Sequence, residues 1–153
     1  MNEKNQIPIN VSTRIKNIKF IDFKLENIDE TIKSKLDSSL FGFENSINFR
    51  IEPAIKQITL LFSVCVYTDE KKTIKLAELQ TIGEFELLNF DDFRNGEQLA
   101  LPNEALGVFI GVMLSTARGM LILKSENTQI QNAILPLINP MDFFKTPLEF
   151  IKD

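Results

Sequence analysis

The chain has 153 residues, of which 44% are hydrophobic and 25% charged, with a formal net charge of −4. This length suits one domain burying about two thirds of its unfolded surface, and this balance excludes disorder as the default state. Scattered Lys and Arg exclude a phosphate-binding basic face, and a chain with no His and one Cys excludes an intrachain zinc site, a disulfide or a Cys–His dyad.

Residues 1–10 read as a flexible polar arm. MNEKNQIPIN holds no apolar stretch of the signal-peptide kind, so the expectation is a cytoplasmic protein. From Val11 to Glu26 the pattern is that of a long strand with phase slips. Val11, Thr13 and Ile15 share one face, Ile18 and Phe20 the other, and Ile21, Phe23 and Leu25 return to the first. Slips of this kind predict a bulge or a bend. Asn27 to Asn45 mixes polar residues with Ile32, Leu36, Leu40, Phe41 and Phe43, and reads as a long crossover.

Ser46 to Glu52 alternates, with Ile47, Phe49 and Ile51 inward, until Pro53 ends or bulges the strand. Ile58 to Thr68 places Leu60, Phe62, Val64 and Val66 on one face and the rather apolar Leu61, Ser63, Cys65 and Tyr67 on the other. Cys65 in this β-rich run is expected to be a structural thiol. The charged turn TDEKKT leads to a fourth strand within Thr73 to Phe90, with Gly83 as a kink. Four such strands predict an antiparallel sheet, apolar on much of both faces.

FDDFRNGEQLALPNEA ends the sheet. Asp91 and Asp92 are the best acidic pair in the chain, but they read as a solvated turn. With no His and no phosphate-binding GxxxxGK loop, neither an enzyme nor a cofactor or metal site is expected. Pro102-Asn103-Glu104 predicts the cap and first-turn acid of a long helix. SENTQIQN breaks it, LPLINPMDFF follows, and the spacing after Pro140 predicts a short amphipathic closing helix interrupted by Pro147. The expected architecture is α+β: a four-stranded antiparallel sheet followed by one long and one short C-terminal helix. The domain spans 11–145, with 146–153 as a tail.

The run from 105 to 123 is apolar nearly all round, and Gly107, Gly111, Ser115 and Gly119 stack four apart into a small-residue stripe. Such a helix must be covered by a core, a subunit or lipid. Its 19 residues approach the roughly 20 that span a bilayer. Arg118 would cost about 2.5–3.5 kcal/mol near a membrane centre, and the flanks lack interfacial anchors. A soluble helix between the chain's own sheet and a second copy is therefore expected, with the stripe as the oligomer seam and no stable membrane insertion.

RIKNIKF, the long crossover, INFRIEP, ITLLFSVCVYTDEKKTIKLAELQTIGEFELLNF, LPNEALGVFIGVMLSTARGMLILKSEN and LPLINPMDFF, in this order, resemble the SecB family of protein-export chaperones over residues 11–145. The resemblance implies a homotetramer, as a dimer of dimers with long helices between sheets. It also implies a holdase activity that keeps unfolded precursors in apolar grooves and hands them to a SecA-like motor.

Given this resemblance, the groove candidates are Leu36, Leu40, Phe41 and Phe43 on the crossover with Met141, Phe143 and Phe144 near the end. In the family a Leu and acidic residues on the outer sheet face hold the motor. Leu76 and Glu78 match two of those positions, while Asn17 and Ile21 stand where the first-strand acids belong. Asp22 and Glu26 lie nearby. A chaperone dedicated to one client, such as an antitoxin, is the alternative, followed by a domain anchored in a membrane through the 105–123 helix.

Overall fold

The structure is a computed structural model that describes residues 10–36, 40–96, 98–145 and 149–150, the backbone alone at 98 and 149–150. Residues 1–9 of the expected 1–10 arm and most of the tail lie outside these residues. Along the chain run β1 (Thr13–Leu25), α1 (Glu30–Lys33), β2 (Gly42–Glu52), β3 (Gln57–Tyr67) and β4 (Lys75–Leu87). There follow the two-residue strands β5 (Arg94–Asn95) and β6 (Gln98–Leu99), the long helix α2 (Asn103–Ser125), and β7 (Glu149–Phe150). The main sheet has the order β1-β4-β3-β2-β7, with the four long strands antiparallel and β7 parallel to β2.

The phase slips of β1 are bulges. Its register against β4 shifts between Ile15 and Asn17 and again between Phe20 and Asp22. Residues opposed in an antiparallel ladder share a face. Ile15, Ile18, Phe20, Phe23 and Leu25 therefore all stand opposite inward positions of β4, namely Phe85, Gly83, Thr81, Leu79 and Ala77. Two extra residues turn a sequence that alternates out of phase into a strand with one apolar face.

β2 begins at Gly42, four residues before the clean alternation, and a Cβ on Gly42 would lie 2.0 Å from the Asp69 carbonyl oxygen. Only glycine lets the start of β2 pass beside the β3–β4 turn. That turn is held by Asp69, whose carboxylate accepts from the Thr73 N–H (3.0 Å) and hydroxyl (2.7 Å). Within the crossover, Asp29 caps α1 by accepting from the Ile32 N–H at 2.9 Å. The motif Asp29-Glu30-Thr31-Ile32 carried that start signal, which the reading of a plain crossover missed.

α2 lies across β3 and β4. Phe109 stacks at 4.8 Å, tilted, on Phe85, and Ile110, Met113, Ala117 and Leu121 are fully buried. Gly83 is not a kink: β4 runs unbroken through it, and a Cβ there would lie 2.5 Å from the Met113 sulfur and 2.8 Å from the Phe85 ring. Its role is close approach of helix to sheet. Within the expected Pro102-Asn103-Glu104 start, Pro102 is the N-cap and Glu104 the first-turn acid, with no side-chain cap bond.

After α2 the chain turns through 126–132 and returns along the helix without a ladder. Arg118 holds it, donating from Nε to the Leu135 carbonyl (2.8 Å) and from Nη2 to the Pro136 carbonyl (2.9 Å). Ala133 and Leu135 point into the core and Leu137 into solvent. The expected closing helix is instead a 3-10 segment, Pro140–Lys145, which sets Phe143 on Phe62 with ring centroids 6.3 Å apart.

Gly83→Val, by overpacking Met113 and Phe85, should lower unfolding stability by about 1–3 kcal/mol in a denaturant titration; an unchanged midpoint would contradict the close approach. Arg118→Met should cost about 1–2 kcal/mol, because two charge-assisted bonds are lost and solvent screens one of them. In that variant, limited proteolysis should cut first between 126 and 139.

Candidate functional site

The sequence candidates from the crossover and from the C-terminal segment meet at one place. Phe43, Glu44, Asn45, Lys72, Ile138, Asp142 and Phe143 line a cleft of about 340 Å³ between the start of β2 and the returning segment. Phe43 and Phe143 are half-buried there, and the Asn45 side-chain oxygen is buried without a hydrogen-bond donor among the described residues. A buried acceptor of this kind costs about 1–3 kcal/mol until a donor reaches it. The cleft thus combines apolar walls with polar side chains, while the Asn45 oxygen itself is sealed beside it, out of reach of solvent. The edge of β2 from Gly42 to Ile47, away from β3, pairs with no strand among the described residues.

The other groove candidates divide. Leu36 is buried in the core and is structural. Leu40 is 76% exposed, Met141 is exposed against α2, and Phe41 and Phe144 are half-buried against the core. Sequence reasoning missed Ile134 and Leu137, the latter 92% exposed. Their signal was the alternation AILPL, with Ala133 and Leu135 inward.

Leu76 and Glu78 do not share a surface. The β3–β4 register shifts at Leu76, between Val66↔Ala77 and Tyr67↔Lys75, and this bulge accompanies complete burial of the Leu76 side chain. Leu76 is therefore a core residue, correcting its expected place on the outer face. Glu78 is on that face but ion-paired with Lys75 and hydrogen-bonded by Gln80 at 3.0 Å. The Lys75 bond holds the Glu78 carboxyl below the ordinary range and pushes the Lys75 ammonium up. Around them Arg14 pairs with Glu86, and Lys72 lies 3.9 Å from Glu44. Asn17 donates to Glu84 at 3.3 Å. Both signs are interleaved among these residues, so they form no acidic patch. Cys65 sits in the same array, and desolvation pushes its thiol pKa up, as suits an unreactive structural cysteine.

The small-residue stripe is two surfaces. Gly107 and Gly111 lie under the chain's own Pro140 and Met141, with Cβ positions 3.2 Å from the Met141 sulfur and 3.6 Å from Pro140. Ser115 and Gly119 face outward, and a Cβ on Gly119 would meet nothing within 4 Å. Val108, Ile122 and Leu123 continue this exposed apolar side of α2. On the opposite flank Ile15, Phe20 and Leu25 of β1 are also exposed, with the Lys124 ammonium 4.2 Å from the Phe20 ring centroid.

No group of His, Cys, Asp and Glu able to hold a metal occurs among the described residues. No family model matches the chain, and no curated protein matches it by sequence. Among solved structures, it is similar to a SecB-like chaperone of Mycobacterium tuberculosis in complex with a ChAD peptide from an antitoxin. That match has TM-score 0.50 and 13% identity, covering 82% of this chain and 83% of that one. A protein of unknown function from Streptococcus agalactiae matches at TM-score 0.32 and 7% identity, over 85% of this chain and 99% of that one. The fold defined by the four antiparallel strands and the long C-terminal helix is the SecB-like α+β fold.

The Tyr67 hydroxyl donates to Glu44 at 2.8 Å, and this bond raises the tyrosine pKa from 10.0 to about 12. A raised pKa means the bond stabilises the fold fully below about pH 10 and ceases to do so as pH rises through about 12. Tyr67 is the single tyrosine and the chain has no Trp, so tyrosinate absorbance reads it directly. The midpoint should lie near 12 and fall toward 10 in Glu44→Gln. A midpoint near 10 in the unsubstituted chain would refute the bond.

Proposed function

We propose that this chain is a SecB-like holdase that binds unfolded polypeptides and keeps them soluble. The observation that carries this reading is the cleft at the open edge of β2. Phe43 and Phe143 offer apolar walls, and the edge from Gly42 to Ile47 offers backbone groups that pair with no strand among the described residues. An extended client can add as a strand there, its N–H groups meeting backbone carbonyls of the edge while alternate side chains enter the cleft. Backbone pairing is indifferent to sequence, as a holdase requires. The similarity to a SecB-like chaperone solved with a bound peptide supports the same reading.

The exposed side of α2 and the uncovered apolar residues of β1 support assembly with sister chains; within this proposal the assembly is a homotetramer and its compartment the cytoplasm. α2 is long and apolar enough to cross a membrane, but its inner side fills the core and Arg118 binds the returning segment. Membrane anchoring through it would dismantle the domain.

Two routes for the client remain within this reading. General export needs docking to a SecA-like motor, for which Glu78 is the remaining sequence candidate. The pairing of Glu78 with Lys75, and the mixed charge around it, favour instead a dedicated client, such as an antitoxin. The solved neighbour's antitoxin peptide supports that route.

Light scattering of an aggregating unfolded model protein tests the activity. The chain should suppress aggregation, and Phe43→Ser with Phe143→Ser should weaken client binding about tenfold or more, since each half-buried ring has only about half of the roughly 1.5–3 kcal/mol of full burial left to gain when a client covers it. No suppression by a folded chain would overturn the reading. Gly119→Glu tests assembly without disturbing the protomer: the mass in solution should fall below that of the unsubstituted oligomer, and an unchanged mass would remove this face from the interface.

A further inference from the structure

The returning segment is fastened to α2 at Arg118, which bonds the Leu135 and Pro136 carbonyls, and again where Pro140 and Met141 sit over Gly107 and Gly111. Gly107 is buried, and the Met141 sulfur lies 3.2 Å from where a Cβ on Gly107 would stand. The glycine thus lets the thioether rest close on the helix backbone. Met141 nevertheless stays 37% exposed, whereas Met113 is fully buried and Met120 half-buried. Ile138, Asp142 and Phe143, which line the cleft, lie within three residues of Met141 in the chain. Asn139 ties this turn together: its carbonyl accepts from the Asp142 N–H at 2.9 Å and its side chain from the Met141 N–H at 3.0 Å. Lifting Met141 therefore carries one wall of the cleft with it.

A methionine sulfoxide turns an apolar thioether into a polar group whose oxygen needs a hydrogen-bond donor. Gly107 and Gly111 lie beyond the first turn of α2, where N–H groups already bond within the helix. The oxygen is hydrated only when the sulfur turns away from this seat. We propose that Met141 is an oxidation-sensitive latch, whose conversion to the sulfoxide frees the turn at 138–143, opens the cleft and releases a bound client. The client half of this inference rests on the holdase reading above. With hydrogen peroxide as oxidant, a sulfur lone pair takes one peroxide oxygen. The S–O bond forms, the O–O bond breaks, and after a proton transfer water leaves; the sulfur is oxidised and the peroxide reduced.

The test treats the folded chain with hydrogen peroxide and locates the added oxygen by peptide mass. Met141 should be oxidised before Met120 and Met113, and hydrogen exchange of the Asp142 amide should then quicken. The client probe is a reduced and alkylated secreted protein that stays unfolded, followed by fluorescence anisotropy. Its binding should weaken about three- to tenfold, as for a cleft assembled for about a third to a tenth of the time. Methionine sulfoxide reductase should restore both readouts, which excludes oxidation of Cys65 as the cause. Met141→Leu, which keeps the volume, should resist peroxide, and Met141→Gln should behave as the oxidised chain without it. Met141 oxidised with exchange and affinity unchanged, or left unoxidised while Met120 reacts, would overturn the inference and leave the holdase reading standing. If the untreated folded chain binds no probe, the holdase reading fails and the client half falls with it; the Asp142 exchange still decides the latch.

Discussion

An α-helix about 10 Å across cannot cover four long strands set about 4.8 Å apart. α2 covers β3 and β4, where Gly83 admits Met113 and Phe85 meets Phe109. Everything distinctive about the molecule follows from how the strands to either side are treated. On the β2 side the chain returns as an irregular segment that brings Leu135, Ile138 and Phe143 against the sheet. On the β1 side Phe23 packs against the core and Lys124 lies over Phe20, but Ile15, Phe20 and Leu25 remain exposed. One face of one sheet therefore has a firm centre, a loosely covered flank and a partly bare flank.

The loose flank needs donors that a helix or ladder would have supplied. Backbone carbonyls in a segment without regular pairing must find them elsewhere, and the Arg118 guanidinium provides two, to Leu135 and Pro136. A charge that looks misplaced within an apolar helix is thus what fixes the cover over β2. The cover stops short of sealing the edge. It leaves the Asn45 oxygen unsatisfied and the outer edge of the first half of β2, away from β3, unpaired among the described residues. On the proposed holdase reading, a surface of this kind suits clients that bring an extended backbone rather than a particular side-chain pattern.

The outer face of the sheet is organised differently. Its half-buried residues are tied by ion pairs and hydrogen bonds along and across strands, including Lys75 with Glu78 and Tyr67 with Glu44. Such pairs neutralise one another locally. A basic partner meets little net negative charge there, whereas the inner face offers apolar area and strand edge.

Period and punctuation in the sequence determined the four strands, the long helix and the inward residues of β2 and β3, because a two-residue or 3.6-residue repeat is written directly in residue type. They also marked the bulges of β1, since only extra residues reconcile its two alternating phases with one buried face. The meeting of Phe43 with Phe143, the burial of Leu76 at a bulge, the pairing of Glu78 and the division of the glycine stripe were decided by tertiary structure alone. Each depends on register between distant segments or on where an irregular chain comes to rest, and no local repeat encodes either.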